Sequence, residues 1–437
     1  MELTIRNCNT QLVLKKVNIS ARWYRFLPVI FVCYSLAYLD RVNFGFAAAG
    51  EMAKDLHLNS SQSSLLASLF FLGYFSFQIP GAHYAANKSA RKLIFWCLLA
   101  WGVLAMATGM VSNISFLFCI RFLLGVVESA VMPTMIILLS RWFTRKERSR
   151  ANTFLVLGNP ATIIWMSILS GYLINAVGWR WMFILEGFPS VVWAFCWWRM
   201  VHDHPVEAKW LNADEKKSLN ISLQKEQELI KPVKNYAVAF RSKAVILLCI
   251  QFALWSIGAY GFIMWLPSII KAAPQISMVQ TGWLSACPYL FAIAGMFIAS
   301  YFSDRSLNRK DFIWPFLLIG ALAFYCSYLA GPENFTLSFI LLIIAGTAMY
   351  TPYGPFFAVI TEILPKNVTA GAMALINSSG ALGSFVGSYI VGYLNGVTKS
   401  FSYSYIFMAG SLLVAAILTV VAIKENKVET KPVAKLA

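Results

Sequence analysis

The chain has 437 residues, 59% of them hydrophobic and 13% charged, with a mean hydropathy of +0.64. A soluble protein carries about 25% charged residues, so the composition excludes a soluble globular fold and implies an all-α membrane protein with several spans. The net charge of +17 is no nucleic-acid signature, because the basic residues sit in short turns between apolar runs, where they set membrane orientation.

The first 25 residues form a polar tail with Arg6, Lys15, Lys16 and Arg22. No cleavable leader is apparent, so the first span is expected to serve as the insertion signal. That span, near 26–49, contains Tyr38-Leu39-Asp40-Arg41-Val42-Asn43. Each ionised side chain at a helix centre costs roughly 2.5 to 3.5 kcal/mol to insert. Asp40 lies about 20 Å into the run at 1.5 Å per residue, so the Asp40–Arg41 pair reads as part of a substrate or ion path. Further runs follow near 63–85, 93–112, 115–141, 151–176 and 181–201. After a polar segment at 202–243, six more lie near 244–270, 279–302, 313–331, 336–360, 369–394 and 402–423, ahead of a tail at 424–437. The expected organisation is a six-helix half over 26–201, a central loop over 202–243 with one surface helix, and a second six-helix half over 244–423. Pro352 and Pro355 should interrupt the tenth helix.

Lys88, Arg91 and Lys92 follow the second run, Arg145, Lys146, Arg148 and Arg150 the fourth, and Arg305, Arg309 and Lys310 the eighth. The alternate turns are nearly free of charge. This bias predicts both termini and the central loop on the cytoplasmic side. The turn Ala86-Asn87-Lys88-Ser89-Ala90-Arg91-Lys92 has a counterpart in Asp304-Arg305-Ser306-Leu307-Asn308-Arg309-Lys310, half a chain later. A repeat of six spans is a common secondary-transporter architecture.

Several polar residues lie within the apolar runs. Arg121 and Glu128 are seven residues apart on one face of the fourth span, with mutual neutralisation as the alternative to a transport role. Asp40 and Glu128 together form a plausible proton relay, since a carboxyl can be neutral when dry and ionised when wetted or paired. A guanidinium grips a carboxylate with two parallel hydrogen bonds, which makes Arg41 the candidate clamp for an acidic substrate and Arg121 a supporting charge. Tyr38, Tyr74 and Gln78 supply hydroxyl and amide partners on the first two spans, and Asn159 and Asn377 supply amides on the fifth and eleventh. Glu186, beside Trp179-Arg180-Trp181, reads as a structural acid. Cysteines are dispersed without a CxxC pair, the four histidines lack metal spacing, and no phosphate loop or Ser-His-Asp pattern is present. A disulfide frame, a metal or other cofactor, ATP drive and an enzyme activity are therefore not expected.

The twelve runs, the basic central loop and the repeated turns resemble the major facilitator superfamily, whose turn motif reads roughly G-x-x-x-D-R-x-G-R-K/R. The second turn keeps Asp304, Arg305, Arg309 and Lys310; the first keeps Gly81, Arg91 and Lys92 but has Ala86-Asn87 for Asp-Arg. This departure puts a charge lock at the first turn in question. The stretches 38–43, 78–81, 121–128 and 179–187 resemble the anion:cation symporter branch. Leu157-Gly158-Asn159-Pro160, the segment 349–357 and the segment 371–378 are most similar to bacterial 2-ketogluconate transporters. The resemblance implies a monomer in the bacterial inner membrane that imports a hexonate-type sugar acid, 2-keto-D-gluconate first, with protons; another organic anion is the alternative, and a membrane sensor on the same fold a third reading. It implies proton coupling at Asp40 and Glu128. It places Arg41, Tyr38, Tyr74 and Asn377 at the substrate, and a cavity between the halves also lined by Tyr260, Tyr350, Thr351 and Tyr353.

Overall fold

The computed structural model describes residues 21–50, 52–228, 243–306, 308–331, 333–363 and 369–422. Among these, eleven helices are long and apolar enough to cross a membrane. One of them, Phe154–Met200, comprises two spans joined at Gly178. Gly178 has φ +79°, a conformation that lacks penalty only for glycine, and it turns the fifth span into the sixth without a loop. Twelve spans result, close to the apolar runs of the sequence.

Helix ends follow local chemistry. Asn59 Oδ1 accepts from Gln62 N (2.8 Å), and Gln62 Oε1 accepts in return from Asn59 N (3.0 Å), starting the second span with a capping box. Asn113 starts the fourth span by accepting from Ser115 N and Phe116 N. The tenth span is interrupted as Pro352 and Pro355 imply: one helix ends at Tyr350 and the next starts at Tyr353. The fourth is also in two pieces, Ile114–Ser129 and Val131–Trp142, meeting at Ala130. The central segment holds a surface helix, Ala213–Glu228.

The two halves meet along three pairs: second span against eleventh, fifth against eighth, and first against seventh. Small residues allow backbones to touch there. A Cβ on Gly45 would lie 2.5 Å from Met264 O, and one on Gly171 would lie 2.7 Å from Met278 O. A Cβ on Gly396 would overlap Ser60. All three contacts lie at the end of the bundle opposite the basic turns, so the halves are pressed together at that end.

The basic end is tied differently. Arg22 donates to Trp142 O (2.6 Å) and pairs with Glu147 (3.2 Å) and Glu215 (3.0 Å), joining the start of the first span, the end of the fourth and the surface helix. The first basic turn lacks the expected acid in sequence, and Asp203 supplies one in space. Its Oδ2 accepts from Ser89 Oγ at 2.5 Å, its Oδ1 accepts from Arg91 N at 3.0 Å, and Arg141 approaches to 3.5 Å. Arg91 itself lies over the Trp198 ring at 4.2 Å and donates to Trp198 O. In the second turn Arg305 lies over Tyr301, and Arg309 donates to Ser303 Oγ at 3.2 Å. Lys310 lies in a short 3-10 turn, and the side chain of Asp304 is outside the described residues.

Candidate functional site

Six acidic or basic side chains are buried among the described residues: Arg22 at the basic end, and Asp40, Arg41, Arg121, Glu128 and Glu186 within the spans. The last five come from the first, fourth and sixth helices. A buried charge is retained only where it is paired or hydrogen-bonded, and the pairing departs from what linear order suggests. Glu128 is bonded not to Arg121 on its own helix but to Arg41 on the first span, Nη2 to Oε1 at 3.0 Å. Arg41 stands in an aromatic cage, 5.0 Å from the Tyr38 ring, 5.4 Å from Phe70 and 4.7 Å from Tyr74. Such a cage stabilises the cation without neutralising it. The Nε of Arg41 has no partner within the protein, nor does Oε2 of Glu128.

Arg121 is completely buried. It donates from Nε to Leu66 O at 3.3 Å and lies over Phe44 at 4.7 Å, with its charge near Asp40 and Glu128. Asp40 accepts from Asn43 Nδ2 at 3.1 Å, one helical turn along the same span, while its Oδ2 is unpartnered. Glu186 lies on the far side of Asn43 and accepts from Ser170 Oγ at 2.6 Å.

A central cavity of about 80 Å³ opens beside Arg41. Its walls combine Arg41, Tyr74 and Asn159 from the first half with Tyr260, Tyr353 and Asn377 from the second, all of them residues singled out in the sequence. Ligand clefts typically span about 300 to 1,000 Å³, so this conformation holds the site contracted. Four other residues named with them lie just outside the cavity wall. Tyr38 and Tyr350 bring their hydroxyls to 3.4 Å across the two halves. Gln78 Oε1 accepts from Ser378 Oγ at 2.9 Å, also across the halves. Thr351 is turned back onto Thr347 O at 2.8 Å. These residues join helices in this conformation.

Three polar wall residues were not singled out: Tyr34, Ser256 and Ser384. Each follows from helical spacing. Tyr34 is one turn from Tyr38 and two from Arg41, Ser256 one turn from Tyr260, and Ser384 two turns from Asn377, so each shares a face with a residue already identified. Asn43 belongs to the conspicuous motif of the first span, yet its place between two acids on different helices has no signature in linear order. No cluster of residues suited to a metal ion occurs among the described residues.

A chain of twelve spans around a charged, aromatic cavity has well-defined relatives. The model of the Major Facilitator Superfamily matches residues 30–273 and 258–437. A protein of Agrobacterium vitis that carries the name of a tartrate transporter is 31% identical over 428 residues, covering 96% of this chain and 93% of that one. A quinolone resistance transporter of Acinetobacter baumannii is 30% identical, covering 91% and 92%. An Escherichia coli D-galactonate transporter is 24% identical, covering 85% and 89%. The crystal structure of a D-xylose-proton symporter superposes with a TM-score of 0.75 at 13% identity, over 93% of this chain and 99% of that one, which speaks for the fold alone. The twelve-span arrangement, the family match along nearly the whole chain and these full-length relatives converge: this chain belongs to the Major Facilitator Superfamily.

Proposed function

We propose that the protein is a secondary transporter that imports a small organic acid anion together with protons, across the bacterial inner membrane and with its basic turns and termini in the cytoplasm. The observation that carries this reading is the position of Arg41. It lines the cavity, it is bonded to a buried acid, and it keeps an unpartnered N–H. A carboxylate entering the cavity would compete with Glu128 for the guanidinium. Protonating Glu128 removes that competition and frees Arg41 for a two-pronged contact. Loading with a proton and loading with the anion therefore favour each other, which is the requirement for symport. Asp40, beside Arg121, is the second proton-carrying acid.

The hydroxyls and amides of Tyr74, Asn159, Tyr260, Tyr353 and Asn377 suit a hydroxylated acid. Several relatives carry names that favour this class, with tartrate, D-galactonate and galactarate or D-glucarate among them, while that of the quinolone resistance transporter does not. Within this class, 2-keto-D-gluconate is the finer candidate, carried by the sequence motifs at 157–160, 349–357 and 371–378. The test is uptake into proteoliposomes under an imposed pH gradient. The panel is 2-ketogluconate, galactonate, glucarate, tartrate, a quinolone and glucose. At least one hydroxy acid should accumulate against its own gradient, and glucose should not compete in excess because it leaves the arginine unpaired. Uptake that ignores the pH gradient, or strong competition by glucose, overturns the proposal.

A further inference from the structure

We infer that Glu186 is a third member of the proton path, the station that passes a proton to Asp40; the inference rests on the proton-coupled reading above. Glu186 is 2% exposed and lies in the sixth span, less than two turns from Trp181, which is 56% exposed at the end opposite the basic turns. Asp40 lies more than two turns from the end of its own helix at Ala49, so Glu186 is the acid nearer that face.

The groups around Glu186 do not balance its charge. Ser170 of the fifth span donates to Oε1. Asn43 of the first span faces it and also bonds Asp40. The third span, packed against the sixth, presents Gly102, Ala105 and Met106 next to Gly187; its mid-span thiol, Cys97, lies by Cys33 instead. Neither cation of the cluster is bonded to Glu186: Arg41 pairs with Glu128, while Arg121 donates from Nε to Leu66 O, has no hydrogen-bond partner at Nη1 or Nη2, and has Asp40 and Glu128 as the acids that act on its charge. Within the spans the buried cluster thus holds three acids for two arginines, and Glu186 is the acid without a cation. An unpaired buried ion is costly, whereas a protonated carboxyl is not.

The unpartnered oxygens mark the route. Oε2 of Glu186, Oδ1 of Asn43 and Oδ2 of Asp40 are all buried without a hydrogen-bond partner in the protein. In the transfer, the O–H bond at Glu186 Oε2 breaks, a water molecule carries the proton past Asn43, and an O–H bond forms at Asp40 Oδ2. One proton and one negative charge exchange places, so the charge of the cluster is conserved. Glu186 then takes its next proton from the face on which Trp181 is exposed.

The experiment uses the full chain in proteoliposomes and separates three rates. Glu186→Gln keeps an acceptor for Ser170, so the helix packing is retained, and Glu186→Asp restores an acid at the same site. In Glu186→Gln, uptake driven by a pH gradient should fall about tenfold or more and lose its increase with external acidity. Counterflow at equal pH, which exchanges loaded carriers without net proton movement, should stay within about twofold of wild type. Glu186→Asp should recover part of the driven rate. Gradient-driven uptake by Glu186→Gln at the wild-type rate overturns the inference. So does a parallel fall in counterflow, which is what a purely structural acid would give. If wild-type uptake itself ignores the gradient, the symport reading falls and this inference with it. That outcome is distinguishable because the wild-type measurement alone reveals it.

Discussion

The first six spans and the last six share a fold but not a chemistry. All the buried charged side chains among the described residues, Asp40, Arg41, Arg121, Glu128 and Glu186 within the spans and Arg22 at their start, belong to the first half. The second half offers the cavity only neutral groups, among them Tyr260, Tyr353, Asn377, Ser256 and Ser384. The difference suggests a division of labour. On the proposed function, the charges that would exchange protons and grip an anion all lie in one half, where their mutual distances would be preserved if the halves move relative to each other. On the same reading, the second half would contribute the hydroxyl and amide contacts that sense the shape of the substrate. The contacts between the bodies fit this division, since the side-chain bonds that cross the interface among the described residues, Tyr38–Tyr350, Ser61–Tyr389 and Gln78–Ser378, are neutral and can be broken without stranding a charge.

The largest expected effect comes from removing titration in the first half. Asp40→Asn or Glu128→Gln should abolish accumulation against a gradient while leaving counterflow measurable. Normal accumulation in both variants would show that the charged half does not carry the protons. Next is the clamp. Arg41→Lys keeps a positive charge but loses the planar fork, and substrate affinity, read from binding to purified protein, should fall about ten- to a hundredfold, in keeping with a hydrogen bond to a charged group. A near-normal affinity would reduce Arg41 to a counter-charge for Glu128.

Changes in the second half should be milder and of another kind. Tyr353→Phe or Asn377→Ala removes one neutral hydrogen bond, so affinity should weaken about three- to tenfold, with preference among hydroxy acids altered and the pH dependence of transport unchanged. A shifted pH profile in either variant would break the division between the halves.

The smallest effect lies outside the membrane. Burial pushes the Glu147 carboxyl up, but Arg22 and the hydrogen bonds from Thr144 outweigh it and hold the group below its ordinary value of 4.5. A carboxyl depressed in the folded state adds stability above its unfolded value, and that stability is lost as pH falls through the folded value. Wild type should therefore unfold at a slightly higher temperature than Glu147→Gln near neutral pH, by less than about 2 °C for a partly exposed pair in a chain of this size. The difference should vanish in acid below about pH 4.5; a constant difference would assign the effect to packing.

Much of this was legible in the linear sequence, for an identifiable reason. Twelve apolar runs, a repeated basic turn and ionisable residues at membrane depth are local properties, and a bilayer imposes helix on each run because no water is available to satisfy a free backbone. Even the break in the tenth span follows from Pro352 and Pro355. The cavity residues Arg41, Tyr74, Asn159, Tyr260, Tyr353 and Asn377 could be named because polar groups in apolar helices need partners or a cavity.

What the tertiary structure decided is which groups meet. Glu128 pairs with Arg41 rather than with Arg121 on its own helix. Asp203, more than a hundred residues along the chain, supplies the acid that the first basic turn lacks. Asn43 bonds Asp40 and faces Glu186, which in linear order is only an acid beside an interfacial tryptophan belt. Helical period tells which residues share a face of one helix, but not how that helix is rotated or slid against its neighbours. Rotation and register depend on long-range packing of small residues within the first half, such as Gly125 against Phe70 and Gly187 against Gly102, and with them the choice of partner for the buried charges.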